Sequence, residues 1–213
     1  DAAAKTLKNT AIASSSFGHN LLGEIEYQKG NAKKSAEHFL AASKMGNVNA
    51  LISLAAIDPS SSNVNKLKNS YRAGSAKAGI GLALTIQKKD PKYFYTLSKE
   101  LSASDPNDGN LLLAIAYLNG VGTPVSKTKA IASLKKCTLN INCRVLLALS
   151  ESSDLTRTAK LKKLILDDAS TNVIPSILGN AYFALGKIES KSSVTKAISY
   201  YQNGVKLNDV DSM

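Results

Sequence analysis

The sequence predicts an all-α fold, a right-handed α-solenoid of about six stacked helical hairpins. The first observation behind this prediction is a helix, a glycine-rich loop and a second helix over residues 116–137. Gly120 stands in that loop, where a turn needs a residue that tolerates positive φ. In the second helix, Ala130, Leu134 and Cys137 recur at spacings of four and three, so they share one helix face. The segment therefore predicts a hairpin whose second helix turns small residues toward its neighbour.

The second observation is that this hairpin recurs along the chain. A second copy covers residues 178–204, and a third covers residues 22–47 with a shorter loop at Gly30. Ala130 and Ala197 are 67 residues apart, which is two units of about 33 to 34 residues, a length typical of helical repeat arrays. No alternating apolar and polar pattern competes with a prediction of helices.

The first half of the chain is divided into helices by its turn residues. The predicted helices are residues 2–13, 17–29, 32–44, 48–57, 64–72, 76–88 and 91–102. Gly46 and Gly74 mark C-terminal stops, and Pro59 follows the end of another helix. Asp90 is expected to cap the last of these helices, with Pro91 in its first turn.

The second half is divided in the same way. The predicted helices are residues 109–118, 126–137, 143–150, 154–167, 173–185 and 194–205. Pro106 is expected in a turn, Gly120 and Gly122 in the long loop, and Gly186 at the opening of the last loop. Both halves thus supply helices that can pair into consecutive hairpins.

The order of residues within a hairpin resembles that of Sel1-like repeats. That family has a Leu-Gly step, a tyrosine, a glycine-rich loop, a Lys-Ala step and a second aromatic residue. The Lys-Ala step is matched by Lys129-Ala130 and Lys196-Ala197, and the tyrosine by Tyr182. The short copy is closer to a tetratricopeptide repeat, a sister family. The resemblance covers residues 17–50, 110–143 and 175–207, and the segments between them keep only the period or the apolar rows.

The resemblance implies a function as well as a fold. Arrays of both families bind other proteins in a concave groove lined by the first helices. It therefore implies a non-enzymatic scaffold or adaptor, exported from a bacterium and periplasmic or secreted, with association with the outer membrane as one option. A more specific expectation is that the protein assists the assembly of an envelope or exopolysaccharide-export complex. Matched by position, the residues expected to line the groove are Glu24, Tyr27, Gln28, Ile115, Leu118, Asn119, Asn180, Phe183 and Ala184. The alternative for Leu118 and Phe183 is that they seal neighbouring helices.

Two cysteines lie at the junction of two predicted helices. Cys137 ends one helix and Cys143 starts the next, so a disulfide is reasonable if their Cα atoms come within about 7 Å. Secreted members of the Sel1-like family carry such bridges between helices, which supports the pairing. The alternative is two buried thiols that serve as small apolar residues. A disulfide implies an oxidising compartment.

The chain is strongly basic. It has 27 lysines and arginines against 16 aspartates and glutamates, a formal net charge of +11. This charge has two interpretations. It is either a solvated exterior or a surface that binds an anionic partner, such as an acidic protein, an anionic polysaccharide or the cell envelope. Nucleic acid is not expected, because aromatic residues are not interleaved with the basic ones as stacking platforms. The alternative function is therefore direct binding of an anionic glycan or envelope surface.

No catalytic motif is found in the sequence. His19 and His38 are the only histidines, lie on different predicted helices and belong to no metal-binding motif, so we expect structural or surface roles. No Gly-Lys-Ser/Thr phosphate loop occurs, and we predict neither a cofactor nor a metal. No apolar stretch reaches the length of a membrane span, although attachment through a part outside this fragment is compatible with the sequence.

Residues 1–213 are expected to form a single repeat array that is a fragment of a longer one. Ala4, Leu7 and Ala11 have the spacing expected of the second helix of a hairpin whose first helix is missing, and residues 208–213 resemble the opening of a next helix. The alternative is a natural end with frayed helices.

The densest aromatic segment is Tyr93-Phe94-Tyr95. Three adjacent helical residues cannot all face one way, so at least one is expected at the surface or in the groove. The segment is thus either a contact site for a partner or packing between repeats.

Overall fold

The computed structural model describes residues 11–166 and 173–210. Over these ranges it contains twelve α-helices, a short 3₁₀ helix at Ala11–Ser14 and no β-strand. The helices are α1 (Ser16–Gln28), α2 (Ala32–Lys44), α3 (Val48–Ile57), α4 (Ser61–Arg72), α5 (Ala76–Ile86), α6 (Pro91–Ser104), α7 (Pro106–Asn119), α8 (Lys127–Leu134), α9 (Ile141–Leu149), α10 (Asp154–Leu166), α11 (Pro175–Glu189) and α12 (Val194–Val210). Ala4 and Leu7, from the predicted helix at residues 2–13, lie outside the described residues.

The chain forms two compact units, Asp1–Ser104 and Asp105–Met213. The first unit holds the hairpins α1–α2, α3–α4 and α5–α6, and the second holds α7–α8, α9–α10 and α11–α12. Within the first unit, α3 packs against both α1 and α5. Within the second, α9 packs against both α7 and α11. The prediction of an all-α fold of stacked hairpins, six of them in the described part of the chain, is therefore confirmed.

Short polar side chains cap several of these helices. In each case a side-chain oxygen accepts a hydrogen bond from a backbone N–H three residues on, which satisfies one of the unpaired donors of the first turn. The capping residues include Ser15, Asn47, Ser75, Asp105 and Ser126. At the other end of α7, Gly120 adopts a left-handed φ of 71°, so the predicted glycine turn is confirmed.

Other glycines make room for aromatic rings. A Cβ atom on Gly23 would lie 2.6 Å from the ring of Phe39, and one on Gly186 would lie 2.7 Å from the ring of Tyr201. The prediction that Gly186 opens a loop is wrong, because α11 continues through it to Glu189. The glycine serves close packing between the two helices of a hairpin instead of a turn.

Two alanines of the Lys-Ala steps are buried, as expected. Ala130 is 0% exposed and Ala197 is 3% exposed. The predicted opening of a new helix at residue 208 is wrong, since α12 continues to Val210. Met213 lies outside the described residues.

The aromatic segment of α6 divides its three rings between core and surface. Phe94 is fully buried, and Tyr93 and Tyr95 are half-buried. The ammonium of Lys68 lies 5.4 Å from the centre of the Tyr93 ring, and that of Lys99 lies 4.7 Å from the Tyr95 ring. The segment therefore packs mainly within its own unit, with cations covering the outer rings.

Polar contacts join the beginnings of successive first helices. The amide of Asn140, the cap of α9, donates to a carboxylate oxygen of Asp108 in α7 at 2.7 Å. The backbone N–H of Ile174, before α11, donates to the side-chain oxygen of Asn142 at 2.7 Å. Each pair is 32 residues apart, so these bonds repeat with the period of the hairpins.

The two cysteines form a disulfide, as predicted. The Cα atoms of Cys137 and Cys143 are 5.9 Å apart, and both residues are fully buried. The bridge joins the turn after α8 to the first turn of α9. None of the described helices is long and apolar enough to cross a membrane.

Candidate functional site

The first unit has an open pocket of about 350 Å³ between its first helices. Its lining residues come from α1, α2 and α3. They are Glu24, Tyr27, Gln28, Phe39, Ser53, Ala56 and Ile57. The structure thus brings together three of the predicted groove residues, all from α1, on one surface.

This first pocket has an apolar floor and a polar rim. Phe39 is 3% exposed at the floor, whereas Tyr27 is 55% exposed at the rim. Glu24 accepts a hydrogen bond from the amide of Asn20 at 2.8 Å, which holds its carboxylate on the exposed face of α1. An aromatic ring, an amide and a carboxylate therefore surround an apolar depression.

Sequence reasoning missed the α3 side of the first pocket. Ser53, Ala56 and Ile57 lie 29 residues after Glu24, Tyr27 and Gln28, respectively. They are the same positions one repeat later. The period of about 33 to 34 residues overshoots them by four to five residues, because this repeat is shorter, and the repeat also lacks the glycines that set the register elsewhere.

In the second unit, the predicted groove residues of α7 are divided between core and surface. Ile115 is half-buried and packs against the cluster that contains the disulfide. Leu118 is half-buried, and Asn119 is exposed at the end of the helix. The sequence prediction for these three residues stays a prediction.

The predicted residues of α11 differ in their surroundings. Asn180 is exposed. The Phe183 ring lies 6.1 Å from the Tyr201 ring, centre to centre, and 3.3 Å from the position of a Cβ on Gly204. Phe183 therefore contacts α12 of its own hairpin, as the sealing alternative proposes, while Ala184 lines a second pocket.

This second pocket, of about 320 Å³, is formed by α9, α10 and α11 and the turn after α11. Its lining residues are Leu149, Asp154, Arg157, Ala184, Lys187, Ile188 and Lys191. Arg157 Nη1 lies 2.9 Å from one oxygen of Asp154, and Lys191 Nζ lies 2.7 Å from the other. The hydrogen bond from Lys191 is the main cause of the lowered pKa of Asp154, and Arg157 lowers this pKa further.

Ion pairs also join α10 to its surroundings. Lys162 lies 2.6 Å from a carboxylate oxygen of Glu189, and Lys160 pairs with Glu151. The Lys162 hydrogen bond lowers the pKa of Glu189, and the same bond raises the pKa of Lys162. Charge pairing thus fixes α10 against α11 close to the second pocket.

The two histidines meet in the first hairpin. The Nδ1 atoms of His19 and His38 are 3.2 Å apart, so one ring donates a hydrogen bond that the other accepts. No group of three or more His, Cys, Asp or Glu side chains among the described residues is placed to hold a metal ion. The pair is a contact between α1 and α2, which sequence distance did not reveal.

Comparison with known proteins identifies the class of fold. No family model and no curated protein matches the sequence. Among solved structures, a protective antigen of uropathogenic Escherichia coli displaying an SLR fold matches with a TM-score of 0.52 and 17% identity. The match spans 95% of this chain and 48% of the antigen, so the chain covers about half of that protein's length. A Sel1 repeat protein from Oxalobacter formigenes matches with a TM-score of 0.56 and 12% identity, over 95% of this chain and 92% of its own. The chain therefore has the Sel1-repeat fold, as its motifs predict.

Proposed function

We propose that this chain is a non-enzymatic scaffold that binds a partner protein on the face formed by its first helices. The observation that carries the proposal is the first pocket, where Glu24, Tyr27 and Gln28 meet the equivalent positions of the next repeat. Repeat arrays commonly bind partners along a surface to which each repeat contributes the same positions. The likeness in fold to Sel1 repeat proteins supports this proposal.

A peptide segment suits the chemistry of the first pocket. Its apolar side chain would cover the floor at Phe39 and Ile57, and its backbone would pair with the amide of Gln28. Tyr27, more than half exposed, offers a large ring with a polar tip, the kind of residue that dominates binding energy at interfaces.

The proposed setting is outside the cytoplasm. A buried disulfide between Cys137 and Cys143 persists in an oxidising compartment, so we propose a periplasmic or secreted protein. A more specific proposal is that the protein assists the assembly of an envelope or exopolysaccharide-export complex. The net charge of +11 favours one alternative, direct binding of an anionic glycan on the exterior.

The test begins with a phage-displayed library of random 12-residue peptides. The 213-residue chain is the immobilised target, and the peptides that bind it are selected. We expect Tyr27→Ala to weaken a selected peptide about tenfold or more, as loss of a central aromatic contact does. The matched control is Leu84→Ala, since Leu84 is 52% exposed on α5 and does not line the first pocket. Isothermal titration calorimetry measures the affinities, and the thermal midpoints of both variants should stay near that of the parent.

Peptides that bind Tyr27→Ala as tightly as the parent would contradict the proposed site. Salt gives a second readout, because screening over a Debye length of about 8 Å weakens exposed charge pairs much more than apolar contacts. Peptide binding in the first pocket should change little between low and physiological salt. Binding of an anionic glycan to the exterior should fall steeply.

A further inference from the structure

We infer that the second pocket recognises an acidic segment of the partner protein, in which a carboxylate side chain stands beside an aliphatic one. The inference rests on the proposed function and adds the chemical class of the partner. It assigns a role to Lys187, Arg157 and Lys191, which the groove prediction did not include.

The lining charges of the second pocket favour an anion. Arg157, Lys187 and Lys191 supply three cations, and Asp154 supplies the one carboxylate on the lining. Asp154 shows how the pocket holds a carboxylate, since each of its oxygens meets a different cation. Lys187 makes no ion pair within the described part of the chain, so the lining keeps a positive excess.

The guanidinium of Arg157 is held in place before any ligand arrives. Nη1 donates to Asp154, and Nη2 donates to the backbone carbonyl of Glu151. Its Nε–H is buried and has no acceptor among residues 11–166 and 173–210. A cation whose orientation is already fixed loses less conformational freedom when it pairs with an incoming carboxylate.

The aliphatic lining favours a peptide over other anions. Leu149, Ala184 and Ile188 present hydrocarbon beside the three cations. A Leu, Ile or Val side chain next to the acidic residue would bury apolar surface there. The hydroxyls of an acidic sugar would lose water against the same hydrocarbon, which costs free energy because the Leu149, Ala184 and Ile188 side chains offer no hydrogen-bonding group.

The test uses the full 213-residue chain and a synthetic peptide, Gly-Glu-Leu-Glu-Leu-Gly. Backbone amide shifts in NMR titrations give the affinity and the location. We expect the amides of Leu149 and Ile188 to shift, and the same peptide with Gln in place of Glu to leave them unchanged.

Charge reversal in the second pocket is compared with charge reversal elsewhere. Lys187→Glu should weaken the Glu-Leu peptide about tenfold, because an attraction becomes a repulsion. Lys206→Glu is the matched control, since Lys206 is exposed on α12, outside the lining, and its reversal changes the net charge equally. It should change the affinity less than twofold. If Lys187→Glu misfolds, Lys187→Gln replaces it, with a smaller loss expected.

Three outcomes would overturn the inference: equal losses for Lys187→Glu and Lys206→Glu, no shift at Leu149 and Ile188, or tighter binding of glucuronate oligomers than of the peptide. The proposed function is judged separately by Tyr27→Ala and the library peptides. We expect Tyr27→Ala to leave the affinity for the Glu-Leu peptide unchanged. A failure of the inference about the second pocket is therefore distinguishable from a failure of the proposed function of the first pocket.

Discussion

Small residues decide how closely the two helices of a hairpin approach. Ala130 is fully buried on α8, and Gly23 and Gly186 each lie against an aromatic ring. In such close-packed contacts, one added methyl or isopropyl group must displace a neighbour. The Lys-Ala and Leu-Gly steps of the repeat are therefore packing signals.

Ala130→Leu should destabilise the chain by about 1–3 kcal/mol, because a larger side chain overpacks a closed contact. Ala132→Leu is the control, as Ala132 lies on the same helix but is exposed. Urea unfolding measures both variants. Equal stability of the two would show that the α8 contact is not close-packed.

Gly186→Ala has two effects of opposite sign on the free energy of unfolding. Alanine is better than glycine inside a helix by about 1 kcal/mol, but overpacking costs about 1–3 kcal/mol. The added Cβ would lie 2.7 Å from the Tyr201 ring, so we expect a net loss of stability in the parent. In a Tyr201→Ala background the ring is gone, and Gly186→Ala should become stabilising. A double-mutant cycle by chemical denaturation measures the change of sign, and a loss in both backgrounds would contradict the contact.

At the scale of the element, α8 is the shortest of the α-helices in the described part of the chain. This helix has 8 residues, fewer than isolated helices need for stability, and the turn that follows it reaches Cys137. The disulfide ties that turn to α9, which the cap at Asn140 also fixes to α7. Covalent and polar ties thus hold a short helix that has limited apolar surface.

Removing the disulfide with Cys137→Ala and Cys143→Ala together should cost about 2 kcal/mol, as expected for so short a closed loop. Urea unfolding without reductant measures the loss. A reductant should lower the stability of the parent and leave the double variant unchanged. The intact mass of the parent should rise by about 2 Da on reduction, because each bridging sulfur gains a hydrogen. Two thiols that alkylate freely in native protein made in an oxidising compartment would contradict the bridge.

At the scale of the whole molecule, positive charge is the main electrostatic feature. The formal net charge is +11 at neutral pH, and it increases further as the 16 carboxylates take up protons. Like charge destabilises the compact state by self-repulsion, so the ion pairs of Asp154 and Glu189 oppose this effect in the second unit.

Acid should therefore destabilise the second unit in a defined pH range. The pKa values of Asp154 and Glu189 are lowered in the folded chain, so their contribution is complete above the ordinary values of about 3.9 and 4.3. It is lost as the pH falls through the lowered values, when both groups become protonated. Thermal unfolding between pH 6 and pH 2, on the order of one measurement per half unit, follows this loss. In the double variant Asp154→Asn with Glu189→Gln, the thermal midpoint should depend less steeply on pH than in the parent. An unchanged slope would show that other carboxylates cause the acid destabilisation.

The sequence by itself determined the class of fold, the repeat and the disulfide. Some helix ends depend on a residue within one turn, as at the Ser126 cap and the Gly120 turn, and local chemistry is enough to place those. The disulfide joins residues six positions apart across one turn, which the helix boundaries made predictable.

Only the tertiary structure decided which distant residues meet. A glycine can serve a turn or a close contact, and the ring of Tyr201, 15 residues away, makes Gly186 a packing residue. Helix packing also brings His19 into contact with His38 and places Tyr27 and Ala56 in the lining of one pocket. The second pocket needs three helices at once. Periodicity along the chain shows which face of a helix is buried, but the side chains that meet across helices are set by packing, which the pattern does not encode.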